Sequence, residues 1–138
     1  KSLDYLGLEQ IDLVALHGVN LPNQLEWSVK EGGCLDILKE YQQKGRIRFI
    51  GFSTHADTPL IVETINTGRF DYVNLHYHFC GSYTSSGTGV ENMGNLDAVK
   101  AANALDMGVF CISAADKGGM VYNPSMPLLK TCLRGNVT

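Results

Sequence analysis

Residues 11–54 read IDLVALHGVNLPNQLEWSVKEGGCLDILKEYQQKGRIRFIGFST. Two short runs bracket this stretch, Ile11–Gly18 and Ile47–Thr54. Each is rich in β-branched or aromatic residues and nearly free of charge beyond its first positions, the pattern of strands covered on both faces. Between them, Cys34–Lys44 places Leu35, Leu38 and Tyr41 on one side of a helix. It pairs Glu40 with Lys44 at i,i+4 and meets Gly45 as a stop. Strand, helix, strand in that order predicts a parallel pair joined by a right-handed crossover.

The same rhythm continues outward. Tyr72–Phe79 (YVNLHYHF) and Val109–Ala115 (VFCISAA) are two further strand-like runs. Thr58–Thr67 is predicted helical, with Thr58 as N-cap, Pro59 at the first helical position and Gly68 at the end. Asn95–Met107 is Ala-rich, with Asn95 as cap and Gly108 as stop, and Ser2–Leu6 reads as the tail of another helix. The order (α)βαβαβαβ predicts an α/β fold with a parallel sheet and no internal domain boundary. The Ser/Gly-rich stretch Cys80–Gly94 follows a strand; it is either a disordered excursion or a loop over a site.

Composition narrows the function classes. The chain has 138 residues, enough for one domain and one core, with 44% apolar and 18% charged residues. No apolar run approaches the ~20 residues of a membrane span. The net charge of −3 and pI near 5.7 argue against a nucleic-acid-binding face. Cys34, Cys80, Cys111 and Cys132 form no CxxC, so they signal no metal or cluster site. They read as buried free thiols of a reducing cytosol, and a cytoplasmic location is expected. The chain opens on Lys1 inside a helical pattern, which makes residues 1–138 an expected segment of a longer polypeptide.

Polar residues gather at the C-terminal end of every strand: His17; Ser53, Thr54 and His55; Asn74, His76 and His78; and Ser113 ahead of Asp116-Lys117-Gly118-Gly119. Ligands of parallel α/β folds sit at that edge. Period 2 puts Asn74, His76 and His78 on one face of the third strand and Val73, Leu75, Tyr77 and Phe79 on the other. Burying three polar side chains costs a few kcal/mol each unless they are hydrogen-bonded or bind something, so this face is expected to look into a barrel interior or a cleft. The Lys117-Gly118-Gly119 turn suits a phosphate, or equally a β–α turn needing glycine only for backbone geometry. Taken alone, His17 reads as a satisfied core histidine and His55 as a solvated or capping residue near Thr58.

Four segments taken together, SLDYLGLEQIDLVALHG, KGRIRFIGFSTH, FDYVNLHYHF and DMGVFCISAADKGGMVYNPS, resemble the aldo-keto reductase superfamily. The likeness is greatest to microbial aldo/keto reductase-like oxidoreductases. The resemblance implies a TIM (β/α)8 barrel of which this chain holds about four units, similar to the fourth to seventh strands. It implies NADP or NAD as cofactor, hydride transfer to the carbonyl of a small aldehyde or ketone, and no metal. Relatives often carry a C-terminal iron–sulfur domain, so a 4Fe-4S cluster outside this chain is an expectation. By that resemblance His17 is the catalytic histidine. Ser53 and Thr54 hold the nicotinamide carboxamide together with Asn74, although the family often has Ser-Asn where Ser53-Thr54 stands. Ile112 takes the place of a stacking tyrosine, and Ser113 with Lys117, Gly118 and Gly119 binds the pyrophosphate. The family's aspartate, tyrosine and lysine lie upstream, so these residues alone are expected not to turn over carbonyls. Two other readings stay open: a regulatory nicotinamide-nucleotide-binding barrel with little catalysis, and a metal-dependent TIM-barrel hydrolase using His17, His76 and His78.

Overall fold

The uncharged runs become four strands with helices between them. In the computed structural model, which describes residues 2–78, 94–114 and 124–136, the order is α1 (Ser2–Leu6), β1 (Ile11–His17), α2 (Pro22–Val29), α3 (Cys34–Gln43), β2 (Ile47–Ser53), α4 (Thr58–Asn66), β3 (Tyr72–His76), α5 (Leu96–Ala104), β4 (Gly108–Ile112) and α6 (Met126–Arg134). All strand pairs are parallel, and the sheet order is β1-β2-β3-β4. Each strand therefore lies beside its neighbour in sequence. That order is an arc of a (β/α) barrel; a doubly wound sheet would reverse direction.

Register decides what each face carries, because Cα partners in a parallel ladder point to the same side. Leu16, Phe52, Val73 and Val109 form one row. On this side Ile50, Phe52, Val73 and Leu75 are completely buried. They share the core with Leu35 of α3, Ile61 and Ile65 of α4, and Ala98 and Ala102 of α5. Ile61 and Ile65 stand one helical turn apart on α4, and each contributes roughly 2 kcal/mol by burial. The opposite face carries Ala15, Gly51, Tyr72 and Gly108 in one row and His17, Ser53, Asn74 and Phe110 in the next. No described helix covers it: Phe110 is 62% exposed, Leu13 48% and Phe49 41%. Helices on one face and open apolar side chains on the other mark this sheet as part of a TIM-type barrel, whose interior face meets further strands.

Several boundaries differ from expectation. The third strand stops at His76, not Phe79, and Phe79 and Ala115 lie outside the described residues. Asp57, not Thr58, is the N-cap of α4. Helix α5 ends at Ala104, well before Gly108. There Asp106 takes a left-handed φ of 53°, and the N–H of Met107 donates to the Ala102 carbonyl at 2.9 Å while that of Asp106 donates to Asn103. These are the paired bonds of a Schellman ending, which any residue tolerating that φ can close. Gly45 ends α3 by the same bonds, as expected. The thiols are not buried: Cys34 and Cys111 are exposed and Cys132 is half-buried, because Cys34 opens a surface helix and Cys111 sits on an edge strand. Cys80 lies outside the described residues.

Away from the strand ends, Arg69 binds both the Asp36 carboxylate and the Val29 carbonyl, tying α3 and the end of α2 to the loop before β3. The Arg69 hydrogen bond, with help from the Gly32 N–H, holds the Asp36 carboxyl below its ordinary 3.8. A depressed carboxylate pKa stabilises the fold above the unfolded value and loses that contribution as pH falls through the folded value. Urea midpoints should therefore drop as pH is lowered below 3.8. Asp36→Asn should flatten that acid limb and lower the midpoint at neutral pH.

Candidate active site at the strand ends

The row His17, Ser53, Asn74 and Phe110 runs across all four strands at their C-terminal ends. Three polar side chains from consecutive strands thus share one level and one face, as period 2 predicted for Asn74. His17 is exposed on the open side. Ser53 is buried, and its Oγ lies 2.9 Å from Nδ1 of His17. The backbone N–H groups of Gly18 and Val19 both donate to the Ser53 carbonyl at 3.0 Å, which locks the turn after β1 against the end of β2. Asn74 carries the unusual atom of the row. Its Oδ1 is buried and has no hydrogen-bond partner among the described residues. An unsatisfied buried amide oxygen costs about 1–3 kcal/mol, so its retention at a rim points to a donor supplied from outside.

Thr54 does something other than face that row. It is 1% exposed; its Oγ1 donates to the Val19 carbonyl at 2.6 Å and accepts from the Ala56 N–H at 3.0 Å. Its hydroxyl thus staples the loops after β1 and β2. As the neighbour of Ser53, Thr54 projects by parity to the helix side of the rim.

One level further out stand His76 and Ile112, which are register partners. Ile112 therefore sits on the same face of β4 as Phe110, two residues below it. Phe110 is the larger apolar surface at the level of Asn74, and only register reveals it. Ser113 follows with a φ of 53°, a left-handed turn that a non-glycine residue adopts at some cost and that is common near ligand sites. The predicted Lys117, Gly118 and Gly119 fall outside the described residues, as does most of the loop from Cys80 to Gly94.

The histidines beyond β3 form their own cluster. Nδ1 of His76 lies 3.1 Å from Nε2 of His78, and the His55 and His76 rings pack with centroids 4.9 Å apart. His55 is half-buried, and its backbone N–H donates to Oδ1 of Asn20 at 2.7 Å. His17 stands two strands from His76 in the sheet order. Among the described residues no group of three or more His, Cys, Asp or Glu is arranged to hold a metal ion, so the hydrolase trio is not assembled. Asn95, expected only as a cap, makes no capping bond. Its amide donates to the His76 carbonyl at 2.8 Å and accepts from Oγ1 of Thr58 at 2.9 Å, fastening the end of β3 to the starts of α4 and α5.

The family model described as Aldo/keto reductase family matches residues 1–123. The chain belongs to the aldo/keto reductase family. Comparison with curated proteins returns no match. An aldo/keto reductase is an oxidoreductase, and the four described strands are part of its barrel. Among the described residues no helix is long and apolar enough to cross a membrane.

Proposed function

We propose that this rim binds a nicotinamide dinucleotide and orients the carbonyl of a small aldehyde or ketone for reduction. The observation that carries the reading is the buried Oδ1 of Asn74, without a partner among the described residues and level with Ser53 and His17 on one open face. A carboxamide N–H is the donor that such an oxygen fits. The bound nicotinamide would supply the hydride. Asn74 accepts from the carboxamide, and Ser53, buried beside it, presents a free lone pair to the same group. His17, on the exposed side of the row, donates a hydrogen bond to the carbonyl oxygen and fixes its approach. Ile112 and Phe110 give apolar surface on β4 against which a ring can rest. The proton for the product alcohol comes from a group outside the described residues, which the family resemblance makes a tyrosine. These 138 residues alone are accordingly proposed to hold the orienting half of the site without the acid.

The test is oxidation of NADPH and of NADH by the complete polypeptide with a panel of small aldehydes, followed by absorbance. Asn74→Leu removes the acceptor at nearly constant volume. It should raise the cofactor dissociation constant about tenfold, because the carboxamide N–H is then buried without a partner. Equal affinity in wild type and variant would remove Asn74 from the site.

A further inference from the structure

We infer that Ser53 is a positioning residue that selects the tautomer of His17. Among the described residues Oγ of Ser53 touches two polar groups: the backbone N–H of Gly18 at 3.4 Å and Nδ1 of His17 at 2.9 Å. The amide can only donate, so Oγ accepts from it. Among the described residues the hydroxyl proton then has one acceptor within reach, the Nδ1 lone pair. In the opposite arrangement Nδ1–H donates to Oγ, and the serine proton, in a residue only 9% exposed, is left without an acceptor. The favoured pattern places the imidazole proton on Nε2, the ring nitrogen not held by Ser53, where it can donate to a substrate oxygen. The serine itself is held from behind, since its own carbonyl accepts from Gly18 and Val19. The chain of hydrogen bonds thus runs from the turn after β1 through Ser53 to the ring. The tautomer follows from these contacts alone; its kinetic consequence rests on the reductase reading.

The experiment is imidazole ¹⁵N NMR of the complete polypeptide at about pH 8, above the ordinary histidine pKa. The chain has four histidines, and loss of one set of signals in His17→Gln identifies the ring. Wild type is expected to show His17 as a single Nε2–H tautomer with Nδ1 as acceptor. Ser53→Ala should give a mixture of tautomers and lower kcat about tenfold with a smaller change in carbonyl KM. Ser53→Thr, which keeps the hydroxyl, should restore both. Ser53→Cys, a weaker donor of similar size, serves if the alanine variant does not fold, and should also mix the tautomers. A protonated Nδ1 in wild type, or an unchanged tautomer in Ser53→Ala, overturns the assignment whatever the activity. A fixed Nε2–H tautomer in a protein that oxidises neither NADPH nor NADH instead sinks the reductase reading and leaves Ser53 in its role.

Discussion

His17→Ala is expected to lower kcat for aldehyde reduction by about 10²–10³-fold while leaving cofactor affinity unchanged. The two halves of that expectation come from different places in the row. His17 lies on β1 at the exposed end, and the buried amide oxygen of Asn74 lies on β3, with Ser53 between them. A hydrogen bond to a carbonyl oxygen strengthens as negative charge builds there, so its loss falls on the transition state more than on ground-state binding. A carboxamide contact has no such dependence, so Asn74→Leu should move the cofactor dissociation constant and His17→Ala should not. Initial rates and a cofactor titration on the same two variants separate these effects. If His17→Ala leaves kcat intact in an active enzyme, the histidine is structural. If wild type binds NADPH tightly yet reduces none of the aldehydes, the rim serves as a nucleotide sensor.

How far the sequence carries this picture depends on which distances are local. The four strands and four of the helices, α1, α3, α4 and α5, follow from apolar periodicity and turn residues, as does the shared face of Asn74 and His76. These features repeat over two to four residues and need no knowledge of the rest of the chain. Helices α2 and α6 carried local signals too: Pro22 at the start of one, Ser125 and Pro127 at the start of the other, where Ser125 Oγ accepts from the Leu128 N–H. What could not be read is where a strand stops. Parity already turns adjacent Ser53 and Thr54 to opposite sides; what only the end of β2 at Ser53 adds is that the loops seal the Thr54 hydroxyl while that of Ser53 reaches His17. His78 follows the same logic: its ring turns back to His76 once β3 has ended. Cross-strand register is equally silent in the sequence, and it alone puts Phe110 level with Asn74.

Register also creates the largest expected effect on stability. Directly beneath the polar row, Gly51, Tyr72 and Gly108 stand side by side on β2, β3 and β4. A Cβ built on Gly51 would come within 2.6 Å of three atoms of the Tyr72 ring, and one on Gly108 within 3.1 Å of the Tyr72 Cβ. The ring lies over Gly51 and is only 9% exposed; burial also holds its phenol above the ordinary value of 10.0. One large side chain thus fills the space left by two absent ones, as interior barrel layers alternate large and small. Gly51→Val should destabilise the fold by about 3 kcal/mol through overpacking, seen as a lower urea midpoint at unchanged slope. If the ring is the obstacle, the cost must shrink when the ring is removed. In a cycle with Tyr72→Ala, the double variant should be more stable than the sum of the singles predicts, by about 1–2 kcal/mol. Strict additivity would mean that valine at 51 is resisted by the backbone, and the layer would lose its explanation. The consequence reaches the site as well. Ser53 and Asn74 each stand two residues beyond Gly51 and Tyr72 on the same face, so a shift in how β2 and β3 sit against each other is carried up to the row. The surviving folded fraction of Gly51→Val should accordingly show weaker cofactor binding than wild type, and removal of the Tyr72 ring should recover part of it.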